Sequence, residues 1–187
     1  MNKTHYTIKI AGLERQLPLC PLNKDLYIAG FVMFGDVEIT VAAAKALLEK
    51  APEHDIMVTA ESKGIPLLYE MARQAGENNY VVARKGPKLY MQNVHMTYVD
   101  SITTDHRQML CLGDADKKLI EGKRVLIVDD VISTGESLLA IEKLVEELGG
   151  KTVGKMAVLA EGDAIKRTDI IYLEKLPLFD SEGNPIE

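Results

Sequence analysis

The chain contains no tryptophan, 3 phenylalanines and only 2 cysteines in 187 residues. Cys20 and Cys111 stand far apart and form neither a zinc spacing nor a disulfide framework, so reduced thiols are expected. No apolar run is long enough to span a bilayer, which argues against a membrane partner. The opening MNKTHYTIKI has no signal-peptide core, so a cytoplasmic location is expected. Positive charge is in deficit: 22 Lys plus Arg against 28 Asp plus Glu leave a net charge of −6. That balance argues against a broad nucleic-acid surface, although a local basic pocket remains open. There are no internal repeats and no low-complexity linker. What is there is an apolar share of 47% and a length suited to one domain with a buried core.

Hydrophobic patterning predicts alternating strands and helices through the middle of the chain. Thr7–Ile10 alternates like a short strand, and the stretch from Leu17 to Tyr27, with Pro18 and Pro21, should be irregular. Ile39–Lys50 reads as a helix, with Pro52 after its end. Asp55–Ala60 reads as a buried strand, Glu61 to Gly64 as a turn, and Ile65–Ala75 as a helix stopped by Gly76. Tyr80–Ala83 is a second apolar strand. Arg84 to Gly122 is long and polar, with strand-like pieces at Val94–Val99 and Gln108–Leu112. Arg124–Val128 is the clearest strand and Ser137–Leu148 the clearest helix, with Leu138, Ile141, Val145 and Leu148 on one stripe. Met156–Ala160 and Ile170–Leu173 complete the series. Continuous apolar strands alternating with helices imply an α/β fold with a parallel sheet covered on both faces. Ligands of such sheets bind beyond the carboxyl ends of the strands. Three central strands end there in polar residues: Glu61-Ser62-Lys63-Gly64, Arg84-Lys85-Gly86 and Asp129-Asp130.

The most informative segment runs from Val125 to Ser137. An apolar strand delivers Asp129 and Asp130 to its end, a short loop of small residues follows, and a helix begins. A helix N-terminus offers unpaired N–H groups and the positive end of a dipole, which suits a phosphate. Gly135 lets the backbone approach it, and Ser133, Thr134 and Ser137 add hydroxyl donors, with Glu136 between them. The two carboxylates would repel a phosphate but accept well from sugar hydroxyls. Acids for a sugar beside a cradle for a phosphate describe a ribose 5-phosphate site. A plain helix cap by Ser133 or Thr134 leaves the paired acids at the end of a buried strand unexplained. A response-regulator receiver would need most of its domain after that strand. Gly149-Gly150-Lys151-Thr152 resembles the end of a phosphate-binding P-loop, but it follows a helix and has Val145 where the first glycine belongs.

The run from Val128 to Ser137 resembles the phosphoribosyl-pyrophosphate motif of the type I phosphoribosyltransferases. Ala60 to Pro66 resembles the pyrophosphate loop of the adenine and xanthine branches of that family. Val82 to Leu89 resembles a stretch typical of the adenine branch. The resemblance spans roughly residues 30–175 and implies a single phosphoribosyltransferase domain. It would carry a small N-terminal hood over about residues 1–38 and a flexible lid over about residues 86–110. It further implies transfer of a ribose 5-phosphate from phosphoribosyl pyrophosphate to a purine base, with Mg²⁺ held mainly by the substrate's pyrophosphate. Asp129 and Asp130 would be the catalytic pair, holding the ribose hydroxyls. Ser133, Thr134, Gly135, Glu136 and Ser137 would hold the 5-phosphate. Glu61, Ser62, Lys63, Gly64, Arg84 and Lys88 would meet the pyrophosphate. Phe34 would stack on the base, seated between Phe31–Asp36 and the segment after Ala160. Family members often carry a cis peptide where Ser62 meets Lys63, and most are homodimers. Adenine is the expected base, because Ser133 stands where the hypoxanthine–guanine branch has an acid. Xanthine competes, because Phe34-Gly35-Asp36 lacks the arginine usual in the adenine hood and Tyr98 to Ile102 lacks its lid glutamate. A non-catalytic sensor of phosphoribosyl pyrophosphate is the alternative from a different functional class.

Overall fold

The computed structural model describes residues 3–99 and 108–186. Its centre is a sheet of five parallel strands: β4 (Ile56–Ala60), β5 (Val81–Ala83), β8 (Arg124–Ile132), β9 (Lys151–Glu161) and β10 (Ile171–Leu176). Their spatial order is β10-β9-β8-β4-β5, so the two longest strands lie side by side. The central stretches of β4, β5, β8 and β9 are apolar because both faces of the sheet are covered. Met57, Leu126, Val128, Met156 and Val158 face one core; Ile56, Val58, Val125, Ile127 and Ala157 face the other. The first core is roofed by α1 (Val37–Leu48) and α2 (Gly64–Ala75), the second by α4 (Glu136–Glu147).

The helix ends follow local chemistry. Asp36 caps α1 by accepting from the Ile39 N–H at 3.1 Å, so this helix begins two residues before the sequence expectation. Gly76, in the left-handed region at φ 73°, ends α2 where the sequence placed its stop. A short helix absent from the sequence reading, α3 (Asp114–Ile120), lies inside the long polar stretch. Its start is fixed by Asp116, which accepts from the Gly113 N–H at 2.8 Å. Seven residues are too few for the helical period to stand out.

The expectation of an irregular segment from Leu17 to Tyr27 is overturned. β1 (His5–Ile10), β2 (Leu13–Pro21) and β3 (Tyr27–Ala29) form antiparallel neighbours. Pro18 is tolerated because its carbonyl accepts from Gly30 at 2.8 Å, just past the end of β3. The missing N–H therefore faces an edge where strand pairing has already stopped. Two short strands near the C-terminus, β11 (Leu178–Phe179) and β12 (Pro185–Ile186), extend this second sheet in the order β1-β2-β3-β11-β12. It is thus built from both ends of the chain.

β6 (His95–Val99) and β7 (Gln108–Leu112) form an antiparallel ribbon. The ribbon is rooted in the parallel sheet, since Arg84 and Cys111 exchange backbone hydrogen bonds of 2.9 and 2.8 Å. Leu110 and Leu112 are buried, while Met96 and Tyr98 are exposed. The centre of the expected lid, residues 100–107, lies outside the described residues, and with it Asp100, Ser101 and Ile102. Among the described residues no helix is long and apolar enough to cross a membrane.

Candidate functional site

The parallel sheet brings the ends of β4, β5 and β8 together. β8 continues beyond the expected Val128 to Ile132, because Val131 and Ile132 keep pairing with Leu159 and Ala160 of β9. Asp129 and Asp130 therefore sit within the strand, near its carboxyl end. The loop after β4 makes one contact with each acid. Ser62 Oγ donates to Asp129 Oδ1 at 3.3 Å, and Lys63 Nζ lies 3.4 Å from Asp130 Oδ2. Lys63 Nζ also donates to the carbonyl of Phe31 at 2.9 Å. The Ser62 hydroxyl in turn accepts from the Gly64 N–H at 3.2 Å. Among the described residues there is no cis peptide, so the bond between Ser62 and Lys63 is trans. In that form the loop already reaches both acids, and a non-proline cis bond would cost about 3 kcal/mol.

Gly64 is required by close approach. A β-carbon there would lie 2.7 Å from Thr59 Oγ1 and 3.1 Å from Asp129 Oδ1. The first residue of α2 thus presses on the acid at the heart of the site. Burial, followed by the negative charge of Asp130, raises the proton affinity of Asp129 well above the ordinary carboxylate range. Hydrogen bonds from the Asp130 N–H and from Ser62 oppose that rise.

The segment from Ser133 to Gly135 turns from β8 into α4. Gly135 has φ 81°, a conformation natural to glycine. An added β-carbon at Gly135 would collide with Nη1 of Arg167, so this glycine answers to an arginine as well as to the backbone. Thr134 Oγ1 accepts from the Glu136 N–H at 3.4 Å. Asp129 and residues 131–138 line a small cavity of about 140 Å³. Larger hollows of about 430 Å³ between α1 and α2, and about 450 Å³ beside Tyr6 and Ile165, contain neither acid.

The remaining predicted residues gather around Glu61. Arg84 Nη2 lies 3.1 Å and Lys88 Nζ 3.9 Å from its carboxylate, which also accepts from the Lys85 N–H at 2.9 Å. That backbone bond, with the charges of Arg84, Lys88 and Lys85, lowers the proton affinity of Glu61 despite partial burial. The Glu61 N–H itself is committed to the Ala83 carbonyl at 2.8 Å. One carboxylate thus organises three basic residues at the end of β5. Among the described residues no cluster of three or more His, Cys, Asp or Glu side chains could hold a metal.

Phe34 is 59% exposed, whereas Phe31 is buried. The loop that carries both is tied to Asp130 through Lys63. Asp36 binds Arg15 of β2, with Nε to Oδ2 at 2.7 Å, so an arginine reaches this loop from elsewhere in the chain. Sequence reasoning missed Arg15, Arg167 and Glu161. Glu161 ends β9, and burial raises its proton affinity against the opposing influences of the Ser133 hydroxyl and the Lys63 charge. An acid directly after the apolar run Met156–Ala160 was the available signal, the same one that marked Asp129.

A family model described as the phosphoribosyl transferase domain matches residues 35–178. An adenine phosphoribosyltransferase of Acetivibrio thermocellus is 36% identical over 118 residues, which cover 61% of this chain and 63% of that protein. The match thus spans less than two thirds of that relative's length. The adenine phosphoribosyltransferase of Rhodococcus jostii is 31% identical over 127 residues, covering 68% of this chain and 69% of its own length. Among solved structures, an adenine phosphoribosyltransferase from Thermoanaerobacter pseudethanolicus superposes with a TM-score of 0.65 at 22% identity. That superposition covers 92% of this chain and 95% of the other, and it establishes the shared fold.

Proposed function

The chain belongs to the phosphoribosyl transferase domain family, and from that premise we propose that it transfers the ribose 5-phosphate of phosphoribosyl pyrophosphate to a purine base, adenine foremost. The observation that carries this reading is the joining of two strand ends, those of β4 and β8: Asp129 and Asp130 are contacted by Ser62 and Lys63, immediately ahead of the Gly135 helix start. In this reading Asp129 and Asp130 accept from the ribose hydroxyls. Backbone N–H groups and hydroxyls from Ser133 to Ser137 hold the 5-phosphate. The base nitrogen attacks C1 as the bond from C1 to the pyrophosphate oxygen breaks, and charge builds on the departing group. Arg84 and Lys88, already arranged around Glu61, meet that charge. Lys63 holds the hood loop at Phe31 to Asp130, fixing the distance between base and C1.

Mg²⁺ would be held mainly by the substrate's pyrophosphate and sugar oxygens, with several waters kept, as is usual for this ion. The segment over about residues 86–110 acts as the lid that excludes water. The loop carrying Phe34 forms the hood wall against the base. A second copy of the chain covers the apolar face of Val37, Val41 and Tyr69, giving a homodimer. The free thiols of Cys20 and Cys111 suit a reducing cytoplasm.

Xanthine is the competing base, because Gly35 leaves the hood run without its own arginine and Arg15 reaches only Asp36 and Glu38 among the described side chains. A panel assay decides: adenine, hypoxanthine, guanine, xanthine and pyrimidines, each with phosphoribosyl pyrophosphate and Mg²⁺. The expected result is turnover with adenine far above the rest, because a wrong base edge leaves buried groups unpaired at about 1–3 kcal/mol each. Faster turnover of xanthine would reassign the base. Tight binding of phosphoribosyl pyrophosphate with no turnover of any base would make the protein a sensor.

A further inference from the structure

The segment assigned to the 5-phosphate has an unfavourable charge. Residues 129–138 include Asp129, Asp130 and Glu136 and no lysine or arginine. The α4 dipole supplies only a partial positive charge, whereas a phosphate monoester brings close to two negative ones. Lys63 is taken up by Asp130 and the Phe31 carbonyl.

A cation nevertheless stands at this loop, and it comes from a distant part of the chain. Arg167 follows the short 3₁₀ turn Gly162–Lys166 at the end of β9. Its guanidinium lies directly on Gly135: a β-carbon on that glycine would collide with Nη1 and sit 3.3 Å from Cζ. Asp169 clasps the far edge of the same group, with Nε to Oδ1 at 2.9 Å and Nη2 to Oδ2 at 2.7 Å. Asp169 is itself held by Lys155 at 3.2 Å, and Lys155 by Glu142 of α4 at 3.0 Å. The clasp occupies Nε and Nη2, so the edge bearing Nη1 is turned to the loop.

A guanidinium beside a helix N-terminus is like charge beside like charge, which by itself is unfavourable. A bound anion reverses that: the dipole and the guanidinium then both face an opposite charge. Because Gly135 has no side chain, Arg167 packs against its backbone, and Gly135 itself lines the cavity formed by residues 131–138.

We propose that Arg167 is the cation of the phosphate loop, a positioning residue that acts by charge through Gly135 on the 5-phosphate. The proposal rests on the reading of Ser133–Ser137 as the phosphate site. It adds a residue that the motif does not contain, and it gives the glycine a second purpose.

The test is calorimetric titration of the full chain and of Arg167→Gln with three probes: AMP, ribose 5-phosphate and pyrophosphate. AMP and ribose 5-phosphate should bind about tenfold more weakly to the variant, as expected for one charge lost at short range. Pyrophosphate should bind unchanged, and the AMP deficit should shrink at high salt. Asp169→Asn, which removes the opposing carboxylate but keeps Arg167, should bind AMP more tightly than the parent. This second variant decides the matter if Arg167→Gln does not fold. Equal AMP affinity in the parent and Arg167→Gln, equal weakening for all three probes, or no gain in Asp169→Asn would overturn the role of Arg167 while leaving the phosphate site in place. Failure of the parent chain to bind either sugar phosphate would overturn the phosphate site and this role together.

Discussion

Lys63 and Asp130 are paired at 3.4 Å across the seam between the loop after β4 and the end of β8, and the same ammonium holds the Phe31 carbonyl at 2.9 Å. A single side chain thus fastens the N-terminal sheet's exit loop to a buried carboxylate. Lys63→Met should lower stability, because Asp130 is only 4% exposed and would lose its cationic partner. Breaking a fully buried pair costs about 3–5 kcal/mol, but Lys63 is partly exposed, so about 1–2 kcal/mol is expected. Adding Asp130→Asn should restore much of that loss in chemical denaturation. A double variant as unstable as the sum of the singles would refute the pairing.

Asp129 holds its proton more tightly in the folded chain than in the unfolded one, owing first to burial and then to Asp130. A raised carboxyl contributes stability while it is protonated, and that contribution fades as pH rises from its ordinary value of 3.8 towards neutrality. Asp129→Asn should therefore raise the melting temperature of the ligand-free protein at neutral pH, by about 2–4 °C per kcal/mol gained, with little gain near about pH 4. The same variant should bind phosphoribosyl pyrophosphate more weakly. A stability gain equal at both pH values would show that charge is not the cause.

Packing at Gly64 gives a third test. Gly64→Ala should destabilise by about 1–3 kcal/mol, since its methyl would meet Thr59 Oγ1 at 2.7 Å inside a filled interior. Thr59→Ala removes that oxygen, whose hydrogen-bonding capacity is unmet among the described residues. The double variant should be more stable than additivity allows. Strict additivity in thermal melts would mean that the backbone rather than Thr59 opposes the methyl.

A fourth prediction separates the two phosphate regions. Arg84→Gln and Lys88→Gln should each weaken pyrophosphate binding by up to about tenfold, the scale of one charge-assisted contact. AMP, which carries no pyrophosphate, should bind as before. Equal losses for both ligands in fluorescence or calorimetric titrations would place these cations elsewhere in the mechanism.

Amino-acid order alone dictates the parallel core and the chemistry at its rim. Continuous apolar runs such as Val125–Val128 have one stable home, a sheet covered on both faces, and the residues just after them must then lie along one edge. That is why Glu61, Arg84 and Asp129 could be grouped before any coordinates, and why Gly76 could be read as a helix stop. Local patterning could not say which partners come from far along the chain. Pro18 and Pro21 suggested irregularity, yet pairing with β1 and β3 made a strand of them, because only tertiary structure reveals which backbone edge is left free. The C-terminal strands Leu178–Phe179 and Pro185–Ile186 joined the N-terminal sheet for the same reason. Arg15 reached Asp36 across 21 positions, and Arg167 reached Gly135 from beyond β9. Motif spacing records neighbours along one segment. Charge compensation is settled by whichever side chain the folded backbone brings close, and that is a property of the whole tertiary arrangement.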